Sequence, residues 1–540
     1  MGKERFCDIL IVGGGAAGLM AAIGACSGND SAENSASRPK VVVLEKMPKV
    51  GRKIMISGKG RCNFTNMSQW DEFSKHVHPK ADFLKPAFFT LPPQKMIQLV
   101  EDRGCPCVVE RGDRVFPQSH KSTDIVDTLF FLAKDSGAEI VTDCEVADVD
   151  RNADGEFIVS TTRGEFISGK LIITTGGLSY PATGSTGDGY RWAREFGHKI
   201  ETCFPSLTAL VPKGYKTDKV RASEMPEGET FALQTSGEYR ELKGHIDRST
   251  PLTEWGRMLA GIQLKNVRLS IETDGNITDS EFGDMDFTDG GIEGPIGFKL
   301  SRKAVKAVLN GAKLAAHIDL KPAVEAQQLE RRIDELWKEI SDDKRSYVVI
   351  RGKRTLRPYK ERFAVLLSKL LPKELIRPFV ASNPPLDSRS IGKALKDWKL
   401  PIAGYVGYER CVITAGGISL DEVNKKTLES KLTPGLFFAG ELLNLDADTG
   451  GYNLQIAFCT GFLAGVGAKK YRSASLRVKF KSSQPTGCCG LNFTSRLASH
   501  LFLSPSCSGA YPDMGIGGLL RCFLHPSCSG TYPKCWDVVG

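Results

Sequence analysis

Residues 8–22 read DILIVGGGAAGLMAA, an apolar strand, a glycine turn and a helix of small residues. Gly13, Gly15 and Gly18 satisfy GxGxxG directly after the strand. Gly13 permits the tight turn, Gly15 lets the backbone approach a pyrophosphate, and Gly18 lets helix and strand pack closely. The free amides that begin the helix, at Ala16, Ala17 and Gly18, carry the partial positive charge of its dipole toward a phosphate. The polar, turn-rich stretch 26–40 then leads to a second strand, VVVLE, at 41–45. The unit reads as βαβ with a long connection. Glu45 ends the second strand, where an acid binds ribose hydroxyls, and Lys46 follows it.

Far along the chain, residues 437–455 read FFAGELLNLDADTGGYNLQ, a strand followed by a glycine-marked helix start. Paired with the first fingerprint, this predicts a chain that closes back on its first domain to enclose a flavin, FAD. Gly440 and Glu441 follow the strand, and Glu441 is placed to reach the ribityl or pyrophosphate region. Gly450, Gly451, Tyr452 and Asn453 open the helix, whose N-terminus suits the carbonyl end of the isoalloxazine. Asp446 and Asp448 read either as ribityl ligands or as caps of the following turn.

Between these ends lies GRKIMISGKGRCNFTN (51–66). Arg52, Lys53, Lys59 and Arg61 alternate there with Ser57, Gly58, Gly60 and Asn63, a composition able to wrap an anion or to remain a solvated basic loop. Arg61 and Asn63 are the residues expected to control charge and hydrogen bonding beside the flavin ring. Gly176 and Gly177, which end the strand ITTGG, and Val146, on an earlier strand, are counted with the cofactor contacts.

Composition bounds the rest. The chain has 540 residues, 41% hydrophobic and 25% charged, enough for several domains. No apolar run is long enough for a membrane span. The net charge is +9, of which residues 473–540 hold +4 and residues 1–472 hold +5. A mildly basic body fits anionic cofactors or substrates, and no RNA-binding motif or aromatic-basic platform is recognised. The first strand begins at about residue 7, leaving no room for a leader peptide. Nine cysteines scattered through residues 1–472 without metal spacing fit a reducing compartment, cytoplasm or an organelle interior. Cys105-Pro-Cys107 is CxC rather than CxxC and reads as structural.

The pattern predicts a first segment of the nucleotide-binding domain at 1–202 and a β-rich insert at 203–318, including TFALQTSGEY at 230–239. A helical insert at 319–400 follows, with charged helical periodicity at 323–345 and 360–400. The chain then returns to the first domain at 401–472. Residues 473–540 form an atypical tail in which FLSPSCSGAYP (502–512) is echoed by FLHPSCSGTYP (523–533).

Assembled, the chain resembles the BaiN/RdsA-type family of NAD(P)/FAD-dependent oxidoreductases. The resemblance rests on DILIVGGGAAGLMAA, LEKMPKVGRKIMISGKGRCNFTN, TTGGLSYPATGSTGDGYRWAREFGH, GPIGFKLSR, VITAGGISLDEVNKKTLESK and FFAGELLNLDADTGGYNLQIAFCTG, in order from residue 8 to about 470. It implies an α/β fold, a discontinuous Rossmann-like FAD-binding domain carrying a β-barrel-like insert and a small helical insert. It implies bound FAD, reduced by a nicotinamide nucleotide, NAD(P)H, and a small-molecule acceptor such as an enone or quinone. Lys59 stands where family members usually have Gly, and Asn444 and Ala447 replace a common Asp and Gly. No second GxGxxG is present, so NAD(P)H is expected to dock transiently. The alternatives are an FAD-dependent nucleic-acid-modifying or nucleic-acid-binding protein, or a flavin-retaining protein without turnover.

Overall fold

In the computed structural model, residues 4–28, 38–217 and 243–470 are described. The segment TFALQTSGEY and the 473–540 tail lie outside them.

The first sheet is built around the fingerprint strand. Arg5–Val12 lies between Val41–Leu44 and Gly164–Ile173, both parallel to it, with Ile9 opposite Val41 and Leu10 opposite Leu171. Glu139–Val141 extends one edge in parallel, and Leu436–Phe438 joins the far half of Gly164–Ile173, Ile173 facing Phe438. Phe157–Thr161 and Val146–Arg151 add an antiparallel meander. Ile9–Val12 and all of Val41–Leu44 are buried. Covered on both faces, such strands carry continuous rather than alternating apolar residues.

Two helices cover one region of this sheet, Ala16–Cys26 and Tyr452–Lys470. Both are buried over most of their length, which requires small residues where they touch. A Cβ on Gly461 would sit 2.1 Å from the Ala17 carbonyl oxygen, and one on Gly465 2.0 Å from that of Ala21. Contacts that climb both helices in the same direction make them parallel. Their N-termini therefore face the same end of the sheet. At 1.5 Å per residue the last helix starts roughly 12 Å beyond the first.

The second sheet is a closed ring. Its order is Leu210–Pro212, Ile292–Glu293, Asn276–Phe287, Gln263–Thr273, Leu314–Asp319, Trp398–Val406, with Leu210–Pro212 pairing back to Trp398–Val406 and His245–Ile246 flanking it. Helix Gly294–Leu309 packs on it, over a core that includes Leu269, Ile271, Phe287, Ile318 and Trp398. The sequence pattern ends the β-rich segment near 318, but Trp398–Val406 belongs to the same sheet, with Ala316 opposite Leu400 and Leu210 opposite Tyr405. The ring thus takes strands from both sides of the helical segment. WKLPIAGYV carries a proline and no clean alternation, so its partners decide its state. The helical segment holds Ala326–Asp342, Tyr359–Leu370, Lys373–Ala381 and Ile391–Lys396. It also holds an unanticipated hairpin, Tyr347–Ile350 with Lys353–Leu356. Where the chain passes between the two sheets, Ile200–Ser206 and Ile413–Ile418 run side by side as an antiparallel pair.

Candidate cofactor and active site

The three fingerprint glycines do different work. Gly13 has φ of 106°, and a Cβ there would fall 2.6 Å from the Thr174 carbonyl oxygen. A Cβ on Gly18 would fall 1.8 Å from the Gly13 oxygen. The chain itself requires those two. Gly15 has ordinary backbone angles and nothing within 4 Å of its Cβ position. Its lack of a side chain leaves open space directly before the first-turn amides of the helix, which have no partner inside it.

Glu45 braces this turn from the side. Its carboxylate accepts from Gly14 N at 2.9 Å and Met47 N at 2.8 Å. Burial pushes its carboxyl up, against those two bonds. Cys144 N donates to the Glu45 carbonyl oxygen at 3.0 Å, bringing buried Val146 close to the same strand end. Lys46 turns away to Asp188, 2.8 Å, and Thr186. Arg52 begins the short helix Arg52–Ile56, and Ser57 Oγ donates to the Ile54 carbonyl at 2.7 Å.

A buried clamp joins four distant segments. Lys53 Nζ lies 2.7 Å from Glu441 Oε2 and 2.9 Å from Ser179 Oγ. Glu441 Oε1 accepts from Thr414 N at 2.8 Å and from Ser179 Oγ. A Cβ on Gly177 would sit 2.9 Å from the same carboxylate, and one on Gly176 2.8 Å from Ser185 Oγ. Burial alone would raise the Glu441 carboxyl, but Lys53 and the hydrogen bonds outweigh it and hold it below the usual range. Both carboxylate oxygens are therefore engaged by protein. Gly440, at φ 76°, donates to Thr460 Oγ1 and passes so near the first helix that a Cβ would lie 2.8 Å from that of Ala17.

At the start of the last helix, Gly450 and Gly451 have φ of 132° and 96°. A Cβ on Gly451 would lie 2.3 Å from the Thr65 oxygen and 2.9 Å from Asn63 Oδ1. That Asn63 oxygen is buried and has no hydrogen-bond partner among the described residues. An orphaned buried acceptor costs about 1–3 kcal/mol, and a bound N–H would relieve it. Asn66 Nδ2 holds the Gly450 carbonyl at 2.9 Å, and Thr65 Oγ1 bonds Gln455 at 2.7 Å. The Asn453 side chain turns inward, exchanging bonds of 2.8 and 2.7 Å with Ala447. The Tyr452 ring stacks on His76, centroids 4.4 Å apart, and meets Phe73 edge-on.

His76 ends the short helical turn Ser74–His76, His78 lies on the strand Val77–His78 that follows, and both side chains reach one carboxylate. His76 Nδ1 lies 2.8 Å and His78 Nε2 3.6 Å from the Asp448 carboxylate. Burial would raise that carboxyl; the bonds to His76 and His78 dominate and bring it down to about 2. A depressed carboxyl contributes stability above its unfolded value of 3.8 and loses it as pH falls toward 2. Wild-type protein should lose thermal stability between pH 4 and pH 2 more steeply than Asp448→Asn; parallel slopes would deny the carboxylate any such role. Asp446, fully buried, is gripped by Arg302 at 2.6 and 3.0 Å, tying the ring-packed helix to this loop. The sequence reading did not single out His76, His78, Ser179, Arg302 or Thr414. The HVH spacing was the one local signal for the histidine pair.

Arg61 is held on the other side of its loop. Its guanidinium pairs with Glu110, lies 3.0 Å from His120 Nδ1, and stacks 4.4 Å over the Phe116 ring. Lys59 has φ of 58°, a left-handed conformation that glycine adopts without strain. Its ammonium is exposed, 3.5 Å from Asp286 of the ring. The nine cysteines of the described residues are free thiols. Burial pushes Cys107 up to about 12 and raises Cys105, which removes their thiolate character. Among the described residues no His/Cys/Asp/Glu group is arranged for a metal, and no helix is long and apolar enough to cross a membrane.

The residues present fit a dinucleotide flavin. Gly15 provides the space, the two parallel helices provide free amides at one end of the sheet, and Asn63 provides an unpaired acceptor beside the second set. The chain is similar to known proteins over most of its length. A family model described as the HI0933-like protein Rossmann domain matches residues 7–467. The chain is 26% identical over 461 residues to a 3-dehydro-bile acid delta(4,6)-reductase of Clostridium scindens, covering 84% of this chain and 97% of that protein. It is also 26% identical over 465 residues to a ribosomal RNA dihydrouridine synthase of Escherichia coli, covering 85% and 97%. A protein of the same description in Haemophilus influenzae matches at 26% over 475 residues, covering 85% and 98%.

Proposed function

Since the chain belongs to the HI0933-like Rossmann family, within the flavoprotein oxidoreductases, we propose that it takes electrons from NAD(P)H through FAD and saturates a carbon–carbon double bond conjugated to a carbonyl. The observation that carries this reading is the pair of parallel helix N-termini, with open space at Gly15 and the orphaned Asn63 oxygen beside Gly451.

When bound, FAD supplies two-electron hydride chemistry. The chain's own residues do the rest. The amides after Gly15 would hold the pyrophosphate charge. Glu45 stands at the position for ribose hydroxyls. The amides at Gly451 and Tyr452 would stabilise negative charge developing on the ring, and Asn63 Oδ1 would accept an N–H. The Lys53–Glu441 clamp fixes the strand end between these two sets. Addition of hydride to an enone also requires a proton at the neighbouring carbon, and this reading assigns it to His76, held by Asp448 and stacked on Tyr452, the first residue of the last helix.

The test is the visible spectrum of the purified full chain, loaded with FAD, under anaerobic NADH or NADPH. Bleaching, then recovery on adding a cyclic enone, is the expected result. A flavin spectrum unchanged by either nucleotide would overturn the nicotinamide donor, and failure to retain FAD would overturn the whole reading. A second acceptor, a uracil ring in RNA, is favoured by the two relatives named as dihydrouridine synthases. Reducing the uracil 5,6 double bond is the same chemistry, saturation of a C=C conjugated to a carbonyl.

A further inference from the structure

The positive charge of this chain is not spread over its surface. Residues 344–377 hold eleven Lys and Arg against Glu361 and Glu374, a net charge equal to the +9 of all 540 residues. In the first half of that stretch stands the hairpin Tyr347–Ile350 and Lys353–Leu356, with Ile350 opposite Lys353, and the helices Tyr359–Leu370 and Lys373–Ala381 carry further cations. Its two-residue turn is Arg351-Gly352, with φ of 51° and 76°. Positive φ at both central positions is the type I′ geometry, which matches strand twist and gives a well-formed tip. The hairpin pairs with no other described strand.

Residues 349–355 are all exposed, including Val349 at 76% and Ile350 at 54%. Both faces of the tip are therefore in water. Some cations of the stretch are already paired: Arg345 with Asp343, and Arg357 with Glu361. Arg354 stacks 4.4 Å over Tyr347, which holds its guanidinium flat on the ribbon. Lys344, Arg351, Lys353 and Lys360 have no carboxylate partner among the described residues. An unpaired cluster of this size repels itself and is maintained at a cost, unless a polyanion neutralises it.

We propose that this hairpin is a docking surface for RNA, gripping the phosphate backbone with Arg351, Lys353 and Arg354. The inference rests on the second reading above, in which a uracil of RNA is the acceptor, and supplies the surface that reading needs. Guanidinium groups suit phosphate through paired N–H donors and stack on bases, and the Tyr347–Arg354 pair adds an aromatic-basic element. A lipid surface fits less well. The tip itself has only Val349 and Ile350 to bury and carries no Trp or Phe.

The experiment compares the FAD-loaded full chain with the triple variant Arg351→Gln, Lys353→Gln, Arg354→Gln. The probe is a fluorescent single-stranded, uridine-rich RNA, with a DNA duplex and vesicles containing one-fifth phosphatidylserine as parallel arms. All three sites are exposed and remote in sequence from the glycine fingerprints, so flavin content and enone reduction should not change. RNA affinity should fall at least tenfold, and the slope of log affinity against log salt should flatten by roughly 2 for three lost phosphate contacts. Equal RNA binding by both proteins would overturn the surface while leaving RNA as acceptor. No RNA binding by either would overturn the surface and the RNA reading together, leaving flavin reduction by NAD(P)H untouched. Binding of the vesicles or the DNA duplex in preference to RNA would overturn the assignment of the partner.

Discussion

Gly15→Val should leave the fold intact and strip the protein of flavin. Gly15 has φ of −80° and nothing within 4 Å of its Cβ position, so an added Cβ meets no protein atom and no strained backbone. Unfolding free energy should stay within about 0.5 kcal/mol of wild type, as for an uncrowded surface change. The same side chain would fill the space before the first-turn amides, where the pyrophosphate is expected to lie. FAD affinity should fall at least about 100-fold, or about 2.8 kcal/mol. Gly18→Val is the contrasting control: its Cβ would lie 1.8 Å from the Gly13 oxygen, so stability itself should collapse. Equilibrium denaturation with parallel measurement of bound flavin separates the two. Retained FAD in Gly15→Val would place the cofactor elsewhere.

Lys53→Met should cost about 3–5 kcal/mol of stability near neutral pH, because it strands a buried carboxylate. The Lys53–Glu441 pair is 2.7 Å long, and Glu441 has little exposed surface, unlike the solvent-facing ion pairs worth about 1 kcal/mol or less. The double variant Lys53→Met, Glu441→Gln should recover much of the loss. The pH dependence fixes the cause. Glu441 is held below its ordinary value of 4.5, so the clamp contributes above that value and is lost as pH falls below it. In Lys53→Met the lone carboxyl protonates more readily, and the gap from wild type should narrow between pH 7 and pH 4. Denaturant unfolding across that range checks it; a constant gap would mean that the lysine acts through packing alone.

The functional surface of the hairpin shows how a local pattern is lost in a global number. A net charge of +9 over 540 residues is unremarkable, and dividing it at residue 472 leaves a mildly basic body. Concentrated in residues 344–377, beside an Arg-Gly turn that projects into solvent, the same charge describes a polyanion-facing edge. Between the two helical patterns the sequence carries no strand signal, because Tyr347–Ile350 is only four residues long and its alternation is too short to register. The last strand of the ring, Trp398–Val406, escaped for a related reason: its pairing partners lie about 80 and 190 residues away.

What residues 8–22 and 437–455 determine alone is local and steric. A glycine that must turn left-handed and a run buried on both faces write the strand–turn–helix into the chain, because those constraints act within a few residues. Sequence also supplied Lys53, Glu441, Asn63 and the Gly450–Gly451 pair as polar or flexible groups near a cofactor, without saying which would meet. Only the tertiary structure decided that Glu441 spends both its oxygens on Lys53, Ser179 and Thr414, that Arg61 is drawn to Glu110 and Phe116, and that Asn63 is left with an unpaired oxygen. The reason is physical. Hydrogen-bonding capacity belongs to the residue and is visible in its name, but whether that capacity is spent or left over depends on neighbours brought from hundreds of residues away.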